Sequence, residues 1–324
     1  MMIKQLQQQV EKAIADINWV QEPTGLYHPI DYVLSLGGKR IRPVLTLLAC
    51  KLFSDDEKQA LSTALAVEVF HNFTLLHDDV MDRADTRRGK PTVHKKWNDN
   101  TAILSGDAML IKAYKLLQQA PADKLPVLLD LFSKTAIEVC EGQQYDVDFE
   151  NDLAVQLPQY IEMIRLKTAV LLAAALKMGA IIGGASQQDA DALYHYGINL
   201  GLAFQLRDDY LDSFGDPAVF GKKIGGDICC NKKTFLMITA LQTASEEQRK
   251  ELLQWIGCTD ATCHEQKIKA VLKIYQDLQI DTRCEEAIRA YFEKSVGSLK
   301  NIQLTENKKD ILIKFANDLM GRTK

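Results

Sequence analysis

Asp78-Asp79-Val80-Met81-Asp82 and Asp208-Asp209-Tyr210-Leu211-Asp212 repeat one acidic spacing, each time inside a strongly apolar helical register. Carboxylates in such a setting are costly unless a cation accompanies them. On an α-helix the first and fifth residues of the pattern share one face about 6 Å apart, so Asp78 with Asp82, and Asp208 with Asp212, each present a pair of oxygen ligands. Two such faces opposed across a bundle would hold several Mg²⁺ ions. Mg²⁺ prefers hard oxygen donors, keeps several waters and takes phosphate oxygens as its remaining ligands, so the implied substrate is a phosphate ester or a diphosphate. One copy alone could be a solvated acidic turn. The flanks Phe73-Thr74-Leu75-Leu76-His77 and Leu202-Ala203-Phe204-Gln205-Leu206-Arg207, however, are too apolar for exposed helix surface, which places the carboxylates along an interior cleft.

Each motif is followed by a basic loop containing glycine: Arg83 to Pro91 after the first, and Phe214 to Lys233, with Gly221-Lys222-Lys223-Ile224-Gly225-Gly226-Asp227, after the second. Cations beside such carboxylates can neutralise a diphosphate together with the metals, and the glycines let backbone come close; plain solubilising charge is the alternative. A third basic element, Gly37-Gly38-Lys39-Arg40-Ile41-Arg42-Pro43, enters a helix near Pro43. Lys39 and Arg42 at that helix entrance would form a second anion site, giving two diphosphate sites in all.

The elements that must position these groups are helical. Between the eight prolines the apolar residues recur at helical rather than alternating spacing, and no Asn-Gly or Asp-Gly hairpin signal occurs. Helices are predicted at 2–17, 29–36, 42–53, 56–82, 101–119, 124–146, 158–183, 187–213, 231–243, 246–256, 263–279, 282–300 and 307–320, with Ser54 to Glu57 and Ser186 to Asp189 as helix starts. The fold class is all-α. No linker divides the 324 residues, so one domain over 1–324 is expected, and an apolar share of 47% is enough for a substantial core. A net charge of −4 argues against a nucleic-acid partner. The longest apolar window, Ala169 to Ala185, contains Lys177 and falls short of the roughly 20 apolar residues of a membrane span. Seven scattered cysteines without a signal peptide fit free thiols in a reducing cytoplasm, and Cys258 and Cys263 with His264 lack the second ligand pair of a metal knuckle.

In their order, Gly37 to Pro43, then Leu75-Leu76-His77-Asp78-Asp79-Val80-Met81-Asp82 with Arg87-Arg88-Gly89, then Phe204 to Asp212, resemble the trans-polyprenyl diphosphate synthases, the farnesyl and geranylgeranyl diphosphate synthase family. The resemblance spans Gly37 to Thr234. It implies an isoprenoid-synthase-type helical bundle around a central cavity, a homodimer, and Mg²⁺-dependent condensation of isopentenyl diphosphate with allylic diphosphates (dimethylallyl, geranyl, farnesyl). Asp78 and Asp82 would bind Mg²⁺ from one wall with Asp79 in support, and Asp208 from the other with Asp209 and Asp212 nearby. Arg87 matches the allylic-diphosphate arginine; Lys39, Arg42, His71 and Arg88 match the isopentenyl diphosphate pocket. Lys167, Thr168, Gln205, Lys222 and Lys232 match residues that hold the allylic diphosphate or the carbocation, and Glu141-Gly142-Gln143 with Asp146 matches a supporting segment. Lys223 departs from the pattern, at a spot commonly apolar or proline.

The chemistry this implies is ionisation of the allylic diphosphate under the pull of Mg²⁺, Arg87, Lys167 and Lys222, attack by the double bond of isopentenyl diphosphate, and proton loss to the released diphosphate. Helices 56–82, 124–146 and 158–183 would exclude water from the cation. His77 reads equally as a hydrogen-bonded core histidine or as a site residue. The tail must run from Asp78 toward the N-terminal end of its own helix, so Phe73, with small Thr74 beside it and Phe70 a turn below, is the expected floor, giving C15–C20 products and favouring C20. A class I terpene cyclase needs no second diphosphate pocket, and a non-catalytic subunit of a heteromeric prenyl synthase should have eroded acidic motifs; the basic element at Lys39 and the two intact motifs argue against both.

Overall fold

The computed structural model describes residues 2–150, 152–216, 224–258 and 260–321. The helices are α1 (Met2–Asp16), α2 (Thr24–Ser35), α3 (Ile41–Phe53), α4 (Leu61–Met81), α5 (Val93–Lys96), α6 (Asp99–Leu117), α7 (Leu125–Phe149), α8 (Leu157–Ile164), α9 (Val170–Ile182), α10 (Gln187–Phe214), α11 (Gly226–Cys229), α12 (Phe235–Thr243), α13 (Glu246–Gly257), α14 (His264–Asp277), α15 (Ile280–Ser298) and α16 (Glu306–Met320). Local chemistry sets several of the ends. The Asn98 side chain accepts from the amide of Thr101, Ser245 and Gln248 form a capping box, and Ser186 Oγ accepts from the amide of Asp189 at the predicted helix start. Among the described residues no helix is long and apolar enough to cross a membrane.

Three predicted helices differ, and one hairpin is unpredicted. Helix α2 begins at Thr24, not 29: Pro29 costs one internal hydrogen bond, but Ile30, Val33 and Leu34 are buried on the same helix and carry it through. The expected helix 158–183 contains a π-turn at Arg165–Ala169 between α8 and α9. The expected helix 231–243 starts only at Phe235, as α12 capped by Thr234, and the short helix α11 precedes the predicted range. A hairpin absent from the sequence reading pairs β1 (Thr86–Arg87) with β2 (Lys90–Pro91). Its turn residues Arg88 (φ 54°) and Gly89 (φ 72°) are both left-handed, the geometry of a type I′ turn, here built from Arg-Gly rather than Asn-Gly. The free-thiol expectation also fails for one pair, since Cys258 and Cys263 are disulfide-bonded; Cys50, Cys140, Cys229, Cys230 and Cys284 are free.

Two compact units organise the chain: residues 1–134 with 174–194, and residues 135–173 with 195–324. In the first, α4 packs along α6 and α3. Gly106 on α6 lets the His77 ring of α4 come close, and Gly179 and Gly183 give the same access to Thr46 and Cys50 of α3; a Cβ at any of the three would collide. In the second, Tyr160, Met163 and Ile164 of α8, Leu202 and Leu206 of α10 and Leu236 to Ile238 of α12 share a core with Val271 to Ile288 positions of α14 and α15.

Candidate active site

In the first unit α4 is apolar along most of its length, with Glu68 its one acidic residue before the Asp78-Asp79 end, so packing of its buried residues against α3 and α6 carries Asp78 and Asp82 to one end of the element. The Asp82 amide donates to the Asp78 carbonyl at 2.8 Å, which keeps Asp82 on the helical path as the C-cap. Asp79 faces inward, 5% exposed. Arg87 of the hairpin donates Nε to both of its oxygens at 2.8 and 2.9 Å and reaches Asp78 Oδ2 at 3.4 Å. Burial pushes the Asp79 carboxyl above its ordinary value, and the Arg87 hydrogen bond opposes that shift.

The next residue, Arg88, is directed elsewhere and donates to the Gly37 carbonyl. Gly38 (φ 142°) makes room for it: a Cβ there would sit 2.9 Å from the Arg88 guanidinium carbon. Arg42 Nη1 lies 3.1 Å from His71 Nε2. Burial, followed by the charge of Arg42, holds the His71 ring well below its ordinary value, so the imidazole is neutral and accepts. Arg88 thus borders the Gly37-Gly38 turn, from which exposed Lys39 leads into α3, and its charge adds to that of Arg42 at His71.

Arg40 is a residue that sequence reading passed over. It is left-handed (φ 47°) and 3% exposed, and it binds Glu68 at 2.7 Å, Glu11 at 2.9 Å and the Leu34 carbonyl at 2.7 Å. A buried arginine with two carboxylates fixes the backbone between Lys39 and Arg42. Its position within the basic element was the available signal; the buried partners came from α1 and α4. The alternative readings of His77 resolve toward structure, since its Nε2 lies 3.1 Å from the Ile103 carbonyl of α6. Below the acidic turn, Phe73 stacks edge-on to His77 with ring centroids at 4.8 Å, and Phe70 packs on Phe73 at 5.5 Å and on Phe132 at 5.3 Å. Thr74 donates its hydroxyl to the His71 carbonyl at 2.8 Å.

In the second unit α10 carries Gln205, Asp208, Asp209 and Asp212 along its last three turns. Asp209 is buried, accepts from the Tyr160 hydroxyl and accepts from Gln205 Nε2 at 2.9 Å. Burial, reinforced by the charge of Asp227, pushes its carboxyl up. Gln205 Oε1 in turn accepts from Thr168 Oγ1 at 3.0 Å. Lys167 pairs with Asp146 at 2.6 Å. Both Lys167 and Thr168 lie in the π-turn, which runs so close to Gly142 of α7 that a Cβ there would strike the Lys167 backbone. Gly142 thereby leaves room for the π-turn. Asp212 Oδ2 accepts from the Asp227 amide at 2.9 Å, tying the end of α10 to α11, and the Lys232 amide donates to the Asp227 carbonyl at 2.9 Å. Lys222 and Lys223 lie outside the described residues.

The donor set fits Mg²⁺ in kind: Asp78, Asp82, Asp208 and Asp212 offer carboxylate oxygens and no sulfur or nitrogen. Among the described residues no group of three or more His, Cys, Asp and Glu side chains forms a ready metal cage. A cation held by such pairs completes its shell with water or phosphate oxygen.

The Polyprenyl synthetase family matches residues 23–275. A geranylgeranyl diphosphate synthase of Methanosarcina mazei is 43% identical over 242 residues, 74% of this chain and 75% of that protein. A geranylfarnesyl diphosphate synthase of Natronomonas pharaonis is 41% identical over 249 residues, 71% of this chain and 73% of that protein. A crystal structure of a geranylgeranyl pyrophosphate synthase superposes with a TM-score of 0.94 at 46% identity, covering 99% of each chain.

Proposed function

Because the chain belongs to the polyprenyl synthetase family, we propose that it is a short-chain trans-polyprenyl diphosphate synthase, a prenyltransferase that joins isopentenyl diphosphate to dimethylallyl, geranyl or farnesyl diphosphate. Its product is C15–C20, with C20 favoured. The observation that carries this reading is the divergence of two neighbouring arginines on one hairpin, Arg87 to the acidic motif and Arg88 to the Gly37-Gly38 turn. One short element thereby serves two anion sites, and a condensation of two diphosphates needs two.

Mg²⁺ held by Asp78, Asp82, Asp208 and Asp212 would supply positive charge to the leaving diphosphate. Arg87, Lys167, Lys222 and Lys232 add charged donors to its oxygens as the allylic C–O bond breaks. Gln205 and Thr168 offer oxygen lone pairs to the carbon that becomes positive. Lys39, Arg42, His71 and Arg88 hold isopentenyl diphosphate so that its double bond attacks that carbon. The proton then lost passes to the departed diphosphate, so no side chain need serve as base. Phe73, Phe70 and Leu76 keep water from the tail. The family match over residues 23–275 runs through both compact units, which supports residues 1–324 acting as one functional domain. Ile103, Leu104 and Ile111 of α6 are exposed, which supports a homodimer; five free cysteines are in keeping with a reducing cytoplasmic setting, against which the Cys258–Cys263 disulfide counts.

The test is incubation of the purified chain with Mg²⁺, isopentenyl diphosphate and each allylic diphosphate, with products read by mass. Prenyl diphosphates longer by five carbons are expected, and none after chelation. A cyclised hydrocarbon, or no carbon–carbon bond formation, would sink the reading.

A further inference from the structure

We infer that Tyr160 is a positioning residue that acts through Asp209 to fix the orientation of the Gln205 amide and the Thr168 hydroxyl. The inference rests on the proposed roles of Gln205 and Thr168 beside the reacting allylic carbon. Tyr160 lies on α8 and is 1% exposed among apolar neighbours, so its hydroxyl must find a partner inside the protein. That partner is one oxygen of Asp209. The other Asp209 oxygen accepts from Gln205 Nε2 at 2.9 Å, and Gln205 Oε1 accepts from Thr168 Oγ1 at 3.0 Å.

The order of donors and acceptors along this chain decides the chemistry. A glutamine amide has nearly the same shape after a half-turn, but the half-turn exchanges its oxygen with its two N–H donors. With Asp209 held as acceptor, the NH₂ end is committed to it and the oxygen end to the Thr168 side. An oxygen there favours a carbon gaining positive charge, whereas N–H hydrogens would oppose it. Tyr160 supplies the hydrogen bond that keeps the Asp209 carboxylate in register with Gln205. Tyr160 joins α8 to α10 in this network, and the π-turn at Arg165–Ala169 then delivers Thr168 to the same amide.

The test is Tyr160→Phe, which keeps the ring and removes only the hydroxyl. We expect kcat to fall about tenfold, the rate equivalent of one lost hydrogen bond, with the KM for isopentenyl diphosphate within about twofold of wild type. In a Gln205→Met background, where no amide remains to orient, the same change should alter kcat by less than about twofold. If Tyr160→Phe melts out of the fold, 4-methylphenylalanine and 4-aminophenylalanine at that position replace it; both fill the space, only the second donates, and only the second should restore the rate. Wild-type kcat in Tyr160→Phe, equal rates for the two analogues, or a full tenfold loss in the Gln205→Met background each overturn the inference. An active wild type separates those outcomes from failure of the functional reading; an inactive one would overturn both.

Discussion

Arg87 closes on Asp79 rather than on the two carboxylates either side of it: Nε donates to both Asp79 oxygens at 2.8 and 2.9 Å, and only Nη2 reaches Asp78, at 3.4 Å. The middle carboxylate of the first motif is therefore neutralised by the protein itself, in keeping with the proposal that Asp78 and Asp82 are the pair that takes a cation. Removing the guanidinium strands a carboxylate that is 7% exposed at the side chain. Arg87→Ala should lose turnover and about 2–3 kcal/mol of stability. Adding Asp79→Ala should recover part of the stability and none of the turnover, read by thermal melts and product assays; a melt of Arg87→Ala equal to wild type would show that the pair is not stabilising.

The paired carboxylates are tested directly. Asp78→Ala and Asp208→Ala should each lower kcat by a factor of about 10² to 10³ or more, the scale of a lost electrostatic contribution of about 3–4 kcal/mol, with helicity unchanged. Near-native turnover at saturating Mg²⁺ in either variant would contradict the proposed role of that carboxylate in holding the metal.

Arg42 and His71 touch at 3.1 Å, a contact separate from the Arg87–Asp79 pair. Arg42→Ala should raise the KM for isopentenyl diphosphate at least tenfold and change that for the allylic substrate by less than about threefold. Equal effects on both substrates would merge the two proposed diphosphate sites.

Because the His71 ring is held well below the ordinary value of 6.5, the folded chain keeps it neutral while the unfolded chain protonates it as pH falls. The unfolded state then binds more protons, so stability is lost as pH drops below about 6.5, at up to about 1.4 kcal/mol per pH unit from this group. His71→Gln should melt with a smaller difference between pH 7.5 and pH 5 than wild type. An identical pH dependence in the two proteins would place the His71 proton elsewhere.

How much of this was legible in the sequence depended on the range of the interactions. Helicity, the two acidic motifs and the basic loops are local patterns, and the helices appeared near their predicted bounds. The hairpin was missed because Arg-Gly reaches the left-handed turn only with the Arg88 guanidinium held by the Gly37 carbonyl, 51 residues away in sequence. The π-turn was missed because its permission comes from Gly142 on another helix. Arg40 and Tyr160 were invisible for the same reason: one looks like another surface cation in a basic run, the other like ordinary apolar core, and only Glu68 and Asp209 reveal what each holds. Asp212 was read as a cation ligand, and its bond to the Asp227 amide gives it a second task in ordering α11.

Product length follows from what lies beneath the acidic turn. With the diphosphate head held at Asp78 and Asp82 as proposed, the tail would run along α4 toward its N-terminal end, where Phe73 lies five residues before Asp78, about 7.5 Å down the axis. Thr74 is small and its hydroxyl is already satisfied by the His71 carbonyl, so it neither fills that space nor seeks a partner in it. Phe73 is braced by His77 on one side and Phe70 on the other, which keeps the ring in place against a growing chain. Phe73→Ala should cost about 3 kcal/mol of stability and open an apolar cavity, a space that accepts apolar ligand rather than water. The product should lengthen by at least one isoprene unit. Phe70 then becomes the stop, and because Phe132 holds it at 5.3 Å, Phe70→Ala in the Phe73→Ala background should lengthen the product again. Mass analysis of the products from both variants checks this, and an unchanged distribution in Phe73→Ala would mean that another side chain forms the floor.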